Sequence, residues 1–144
     1  MNYHIDDGKV FITLDKGEQI NKSFEKFASS NHISSAWLNG IGAIENPEIG
    51  YFSLEKKSYY KKEFIGHYEL LSLIGNITLK EKEPFSHTHI TFSDTNYNVF
   101  GGHLFDASIT AAGEFIMILG TKNIHRKMSS HIGLPLWCLE NKFD

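Results

Sequence analysis

A chain of 144 residues, 41% hydrophobic and 13% aromatic, has the size and apolar content of one packed domain and is too apolar for a disordered segment. Its formal net charge of −3 and its one arginine, Arg126, weigh against a surface built to neutralise nucleic-acid phosphates. The one cysteine, Cys138, excludes an intramolecular disulfide, and no apolar run approaches the roughly 20 residues of a membrane helix.

The first residues, Met1-Asn2-Tyr3-His4-Ile5-Asp6-Asp7, lack the basic-then-apolar pattern of a leader, so a cytoplasmic protein with no membrane partner is expected. Residues 10–15 alternate loosely and read as a first strand, closed by a turn at Lys16-Gly17-Glu18. Ile20, Phe24, Phe27 and Ala28 then recur at helical spacing, with Lys22, Glu25 and Lys26 on the opposite side. This predicts one helix over 20–31. Everything after it reads as strands: 35–41, then a hairpin of 49–54 and 59–65 through Glu55-Lys56-Lys57-Ser58. A long strand over 69–79 carries Gly75, which marks a bulge or a close backbone approach. Strands over 85–93 and 97–104 flank turn chemistry at Asp94-Thr95-Asn96, and 107–121 completes the sheet.

The run Phe115-Ile116-Met117-Ile118-Leu119 is apolar on both faces. One face covers the helix layer, and the other needs a cover of its own, such as a neighbouring subunit. Residues 122–144 read as an irregular tail, interrupted by Gly133-Leu134-Pro135. The expectation is one α+β domain over 1–144, with its core in about 8–121. Its architecture is a mostly antiparallel β-sheet with one main helix packed on it.

The sharpest chemical signal is His87-Thr88-His89, followed by His103 in Gly101-Gly102-His103-Leu104. On a strand, residues two apart share a face. If the next two strands pair around a turn near Asn96, paired residue numbers sum to about 192, which sets His103 opposite His89 with His87 diagonal to it. Three imidazoles suit zinc or a similar divalent metal and leave a position open to water or substrate. Alternating polar residues on an exposed face are the plainer alternative. Metal affinity is expected to fall as pH drops through the ordinary histidine value of about 6.5.

Glu69 and Glu114 sit within apolar strand segments. Each is a candidate to orient a metal-binding histidine, to act as general base or to supply a fourth ligand, or is simply an exposed strand residue. Lys56, Lys57, Lys61 and Lys62 surround Tyr59 and Tyr60, which suits either nucleic-acid contact or a solvated turn.

Leu14-Asp15-Lys16-Gly17-Glu18, Asn39-Gly40-Ile41-Gly42-Ala43 and Gly66-His67-Tyr68-Glu69-Leu70-Leu71-Ser72-Leu73-Ile74-Gly75-Asn76-Ile77 follow one another along the chain. Together with the two histidine segments and Ala111-Ala112-Gly113-Glu114, in this order, they resemble the Plants and Prokaryotes Conserved (PPC) domain family. The resemblance implies a mostly antiparallel sheet with a packed helix, and a homotrimer that covers the second apolar face. It also implies a metal at the positions matching His87, His89 and His103, as in bacterial and archaeal members. Plant members carry an Arg-Gly-Arg-Pro AT-hook and act as DNA-associated regulators; this chain has no such peptide. The resemblance thus implies a trimeric, metal-containing, DNA-binding regulatory protein. The same three histidines also suit a metal-dependent enzyme, with Glu69 or Glu114 as base, or a small-molecule binder.

Overall fold

The computed structural model describes residues 1–139. Alternation of apolar and polar side chains builds most of it. An amino-terminal strand, β1 (Asn2–Asp6), turns back on β2 (Lys9–Asp15), whose Val10, Ile12 and Leu14 point inward while the residues between them are exposed. The helix α1 (Ile20–Ser30) buries Ile20, Asn21, Phe24, Phe27 and Ala28, the stripe that its spacing predicts. It ends at Asn31, whose backbone and side-chain N–H groups both donate to the Phe27 carbonyl.

The strands that follow are longer than the sequence suggests. The expected segments 35–41 and 49–54 are one element, β3 (Ser35–Ser53), bent through register shifts on either side of Glu45. Its far half forms the expected hairpin with β4 (Ser58–Glu63). Next come β5 (His67–Lys80), β6 (Glu83–Ser93) and β7 (Val99–Leu119). β7 pairs with β3, β3 with β5, β5 with β6, and β6 with β7 again, so these four strands close on themselves. Closure hides their edges and surrounds a core that includes Leu38, Ile44, Leu73, Ile77, Phe92, Leu104 and Ile109. The helix packs on β6 and β7, with Phe24 edge-on to Phe115 at 5.1 Å.

One expectation is corrected. The tail is regular in part: β8 (His125–Met128) and β9 (Pro135–Cys138) form a hairpin. Gly133, at φ +87°, makes the turn where an interruption was expected, while residues 140–144 of the expected tail lie outside the described residues. The sheet is mostly antiparallel, as expected, and mixed only because β8 runs parallel to β5. Gly75 marks a close approach, not a bulge. A Cβ there would lie 2.4 Å from the His87 carbonyl oxygen, and the irregularity in β5 falls between Leu70 and Ser72. Among the described residues no helix is long and apolar enough to cross a membrane.

Candidate metal centre

His87 and His89 share one face of β6, while Ser86, Thr88 and Ile90 between and beside them turn into the interior. Across the β6–β7 pair His103 stands opposite His89, the register predicted from the turn. The three ring centroids are 5.2–5.4 Å apart, and one ligating nitrogen from each ring lies within 4.8 Å of the others.

The second layer holds the rings in place. Tyr59 of β4 stacks on His103 at 4.9 Å, and Phe105 meets the same ring edge-on at 5.1 Å. Gly50, paired with His103, leaves room for both; a Cβ would lie 2.7 Å from the Phe105 ring and 2.8 Å from that of Tyr59. His103 Nδ1 is buried and has no hydrogen-bond partner. A buried polar atom without a partner is costly, and a metal ion is one way to satisfy it.

Burial, with the Arg126 charge and His89 adding to it, lowers His87 to a pKa of about 4. Burial, followed by the other two histidines, Lys61 and Arg126, lowers His103 to about 4 as well. Burial also lowers His89. The rings are therefore neutral at pH 7 and offer lone pairs, the state that a metal requires. Tetrahedral zinc bonds of 2.0–2.1 Å set nitrogen donors about 3.4 Å apart, so small side-chain movements close the observed spacing. The donor set fits such an ion.

Beyond His89 and His103 the two strands part: β6 continues on β5, and β7 continues on β3. The start of α1 fills the inner side of this gap. There Asn21 Nδ2 donates to the Leu104 and Phe105 carbonyls, and its Oδ1 accepts from Thr88 Oγ1 at 2.7 Å. A cavity of about 730 Å³ opens beside the histidines, with Tyr59, Phe85, Phe105, Leu134, Pro135 and Leu136 among its walls.

Sequence reasoning missed Arg126 as a site residue. It lies in the segment expected to be irregular, and only its pairing with β5 brings it to the cluster. Its Nη2 approaches His87 Nδ1 at 3.3 Å. Glu69 and Glu114, by contrast, stand apart from the histidines. Glu69 pairs with Ser93, four residues beyond His89 and about 13 Å along the strand, and is exposed. Glu114 is exposed on β7 between Thr13 and Ile41, eleven positions past His103. Strand alternation turns both outward, and neither lines the cavity. The carboxyls that do so include Glu25 and Asp106, both raised above the ordinary carboxylate value by burial.

The lysine hairpin is engaged internally. Lys61 pairs with Glu48 at 3.2 Å and lies over the Phe105 ring, Lys62 lies over Phe64, and Lys57 donates to the Ser130 carbonyl.

Comparison with known proteins gives a consistent placement. A plant- and prokaryote-conserved protein from Pyrococcus horikoshii is 36% identical, with a TM-score of 0.86 over 98% of this chain and 97% of that one. A metal-containing protein from Archaeoglobus fulgidus is 33% identical, with a TM-score of 0.85 over 96% and 97%. A candidate DNA-binding protein from Bacteroides thetaiotaomicron is 29% identical, with a TM-score of 0.92 over 95% and 96%. No curated protein matches the chain. The family model of the Plants and Prokaryotes Conserved (PCC) domain matches residues 3–122, and the chain belongs to that family.

Proposed function

We propose that this chain is a homotrimeric, cytoplasmic metal-binding protein in which His87, His89 and His103 hold a divalent ion, zinc by donor type. The observation that carries this reading is the convergence of three neutral imidazoles around the unpartnered His103 Nδ1. A relative of 33% identity that contains metal adds support. Held by His87, His89 and His103, zinc would supply a Lewis acid beside the cavity. The protein's own part is to hold three uncharged imidazoles together and to wall the site with Tyr59 and Phe105. Elemental analysis of protein purified without chelator tests it. About one zinc per chain is expected, and its absence from wild type after zinc loading would sink the reading.

The trimer draws support from the outer face of the sheet. Phe11, Trp37, Ile41, Ile74, Ile116 and Ile118 are all large, apolar and 39–54% exposed. Phe11, Ile116, Asn39, Ile74, His89 and His103 follow one cross-strand row, so the apolar patch runs into the histidine cluster.

DNA association is a second reading, favoured by the Bacteroides relative. The net charge of −3 and the internal engagement of Arg126 and the hairpin lysines weigh against tight phosphate binding. A gel shift at low salt decides it: no retarded band under those conditions removes DNA as a partner.

A further inference from the structure

Arg126 is a half-buried charge, held still and lacking an anionic partner. Its Nε donates to Thr78 Oγ1 at 2.7 Å, Nη1 to the Pro135 carbonyl at 2.9 Å, and Nη2 to Asn76 Oδ1 at 2.7 Å. Its plane lies near the Phe85 and Trp137 rings. Among the described residues no carboxylate pairs with it. The cavity's buried acids are occupied elsewhere: Glu25 accepts from the Ser86 N–H, and Asp106 accepts from those of Asn21 and Ala107.

We propose that the cavity takes a small organic carboxylate, gripped by Arg126 and by the ion at His87, His89 and His103. The inference rests on the metal reading above and gives that site its ligand class.

The argument is one of donors and charge. A guanidinium has five N–H groups and no acceptor. Three are spent on Thr78, Pro135 and Asn76, and a fourth on His87 at 3.3 Å, which leaves one on Nη1. Because arginine can only donate, His87 Nδ1 must accept in this contact, and Nε2 then carries the ring proton. Metal binding requires either that Nδ1 lone pair or the opposite tautomer. Both break the contact with Arg126 and release an Nη2 N–H. Loading the cluster thus turns a guanidinium with one free N–H into one with two, on Nη1 and Nη2, a donor for each oxygen of a carboxylate.

Charge points the same way. Imidazole binds a metal as an uncharged ligand, so three of them leave a divalent ion uncompensated, and Arg126 adds another positive charge beside it. A half-buried site of this kind favours an anion. The walls of Phe85, Phe105, Leu134 and Leu136 suit an apolar body attached to the acid group, and about 730 Å³ is within the ordinary range for small-molecule sites. An inorganic anion would leave those walls wet.

The test uses calorimetry and the visible spectrum of the cobalt(II)-loaded protein. The probes are isobutyrate and benzoate, with isobutyramide, benzamide and inorganic phosphate for comparison. Isobutyrate or benzoate should bind the loaded wild type and change the cobalt spectrum. Arg126→Gln should weaken that binding by about tenfold or more while metal content stays near one per chain. By linkage the carboxylate should also tighten metal binding in wild type by the same factor as the metal tightens the carboxylate. Amides binding as well as acids, phosphate binding as tightly as benzoate, or an unchanged Arg126→Gln affinity would each overturn the proposal. The acid–amide comparison needs only the wild type, so it stands even if the variant misfolds. Metal uptake without carboxylate binding sinks this inference alone; no metal uptake by wild type sinks it together with the metal reading.

Discussion

His103 faces His89 across the β6–β7 pair, and the ring centroids are 5.4 Å apart. That pairing is the last rung of the ladder before the two strands part, so one of the three histidines is anchored on a strand that then leaves the cluster. Removing the cross-strand ligand should therefore cost more than a local contact. His103→Ala is expected to lower zinc affinity by more than about 100-fold, since even changes behind a ligand cost 10–100-fold. Competition with a chromogenic chelator measures this, and the far-ultraviolet circular dichroism spectrum should not change.

The acid range should weaken the metal-free protein through these same rings. His87 and His103 are lowered to about 4 when folded, against about 6.5 when unfolded. Above pH 6.5 both states hold the same protons on them, and stability is flat. Between about 6.5 and 4 the unfolded chain takes up protons that the folded one refuses, so stability falls with pH and levels off below 4. Glu25 and Asp106, raised by burial, act in the opposite sense, so the histidine share is read as a difference between proteins. Between pH 7.5 and 4.5 the apo wild type should lose more than about 4 °C in Tm relative to His87→Asn/His103→Asn. Parallel melting curves for the two would contradict the depressed values. The same shift moves proton competition for the metal below the pH near 6.5 that unperturbed histidines imply.

The histidine cluster was legible because a short turn sets the register of adjacent strands. The paired residues 89 and 103 sum to 192, as a turn near Asn96 requires. The helix was legible because Ile20, Phe24, Phe27 and Ala28 keep a 3.6-residue period. What stayed hidden depends on pairing between distant segments. The strand β1 borrows its regularity from β2. The two halves of β3 look separate because its bend carries Pro47 and irregular register. Arg126 has no partner within its own stretch of chain; β8 reaches the site only by lying alongside β5, about 46 positions earlier. Glu69 and Glu114 were picked for apolar neighbours, yet in a strand those neighbours alternate with outward positions, which both glutamates hold.

The apolar row across the outer face leads to a prediction about assembly. Ile116 lies between Phe11 and Asn39 in that row. Ile116→Glu places a charge in the proposed contact while leaving the inward Phe115 and Met117 untouched. Light scattering should show the wild type near 49 kDa, three copies of 16.4 kDa, and the variant near one copy. A wild type that runs as one copy rejects the trimer outright.

Gly75 tests how tightly β5 must hug the metal strand. A methyl group there meets the His87 carbonyl oxygen at 2.4 Å and Thr88 Cα at 2.7 Å, backbone that can yield only by moving β6. Gly75→Ala should therefore destabilise the fold by about 1–3 kcal/mol and also displace His87. Urea melts of the apo protein and zinc affinity should fall together. A variant that loses neither shows that β6 relaxes freely.

Behind the histidines, Asn21 ties the diverging strands from the inside. Its side chain accepts from Thr88 of β6 and donates to two carbonyls of β7, while its own backbone N–H donates to Asp106. Thr88 sits between His87 and His89, and Leu104 follows His103 directly. Asn21→Ala leaves a buried hydroxyl and two carbonyls without this partner, at a cost of about 2–4 kcal/mol. Thr88→Val removes only one of those bonds and keeps the shape, so its cost should be nearer 1 kcal/mol. If the Asn21 hydrogen bonds add nothing, Thr88→Val will unfold at the wild-type urea concentration. If it also sets the spacing of the strands, Asn21→Ala will weaken zinc binding although it touches no histidine.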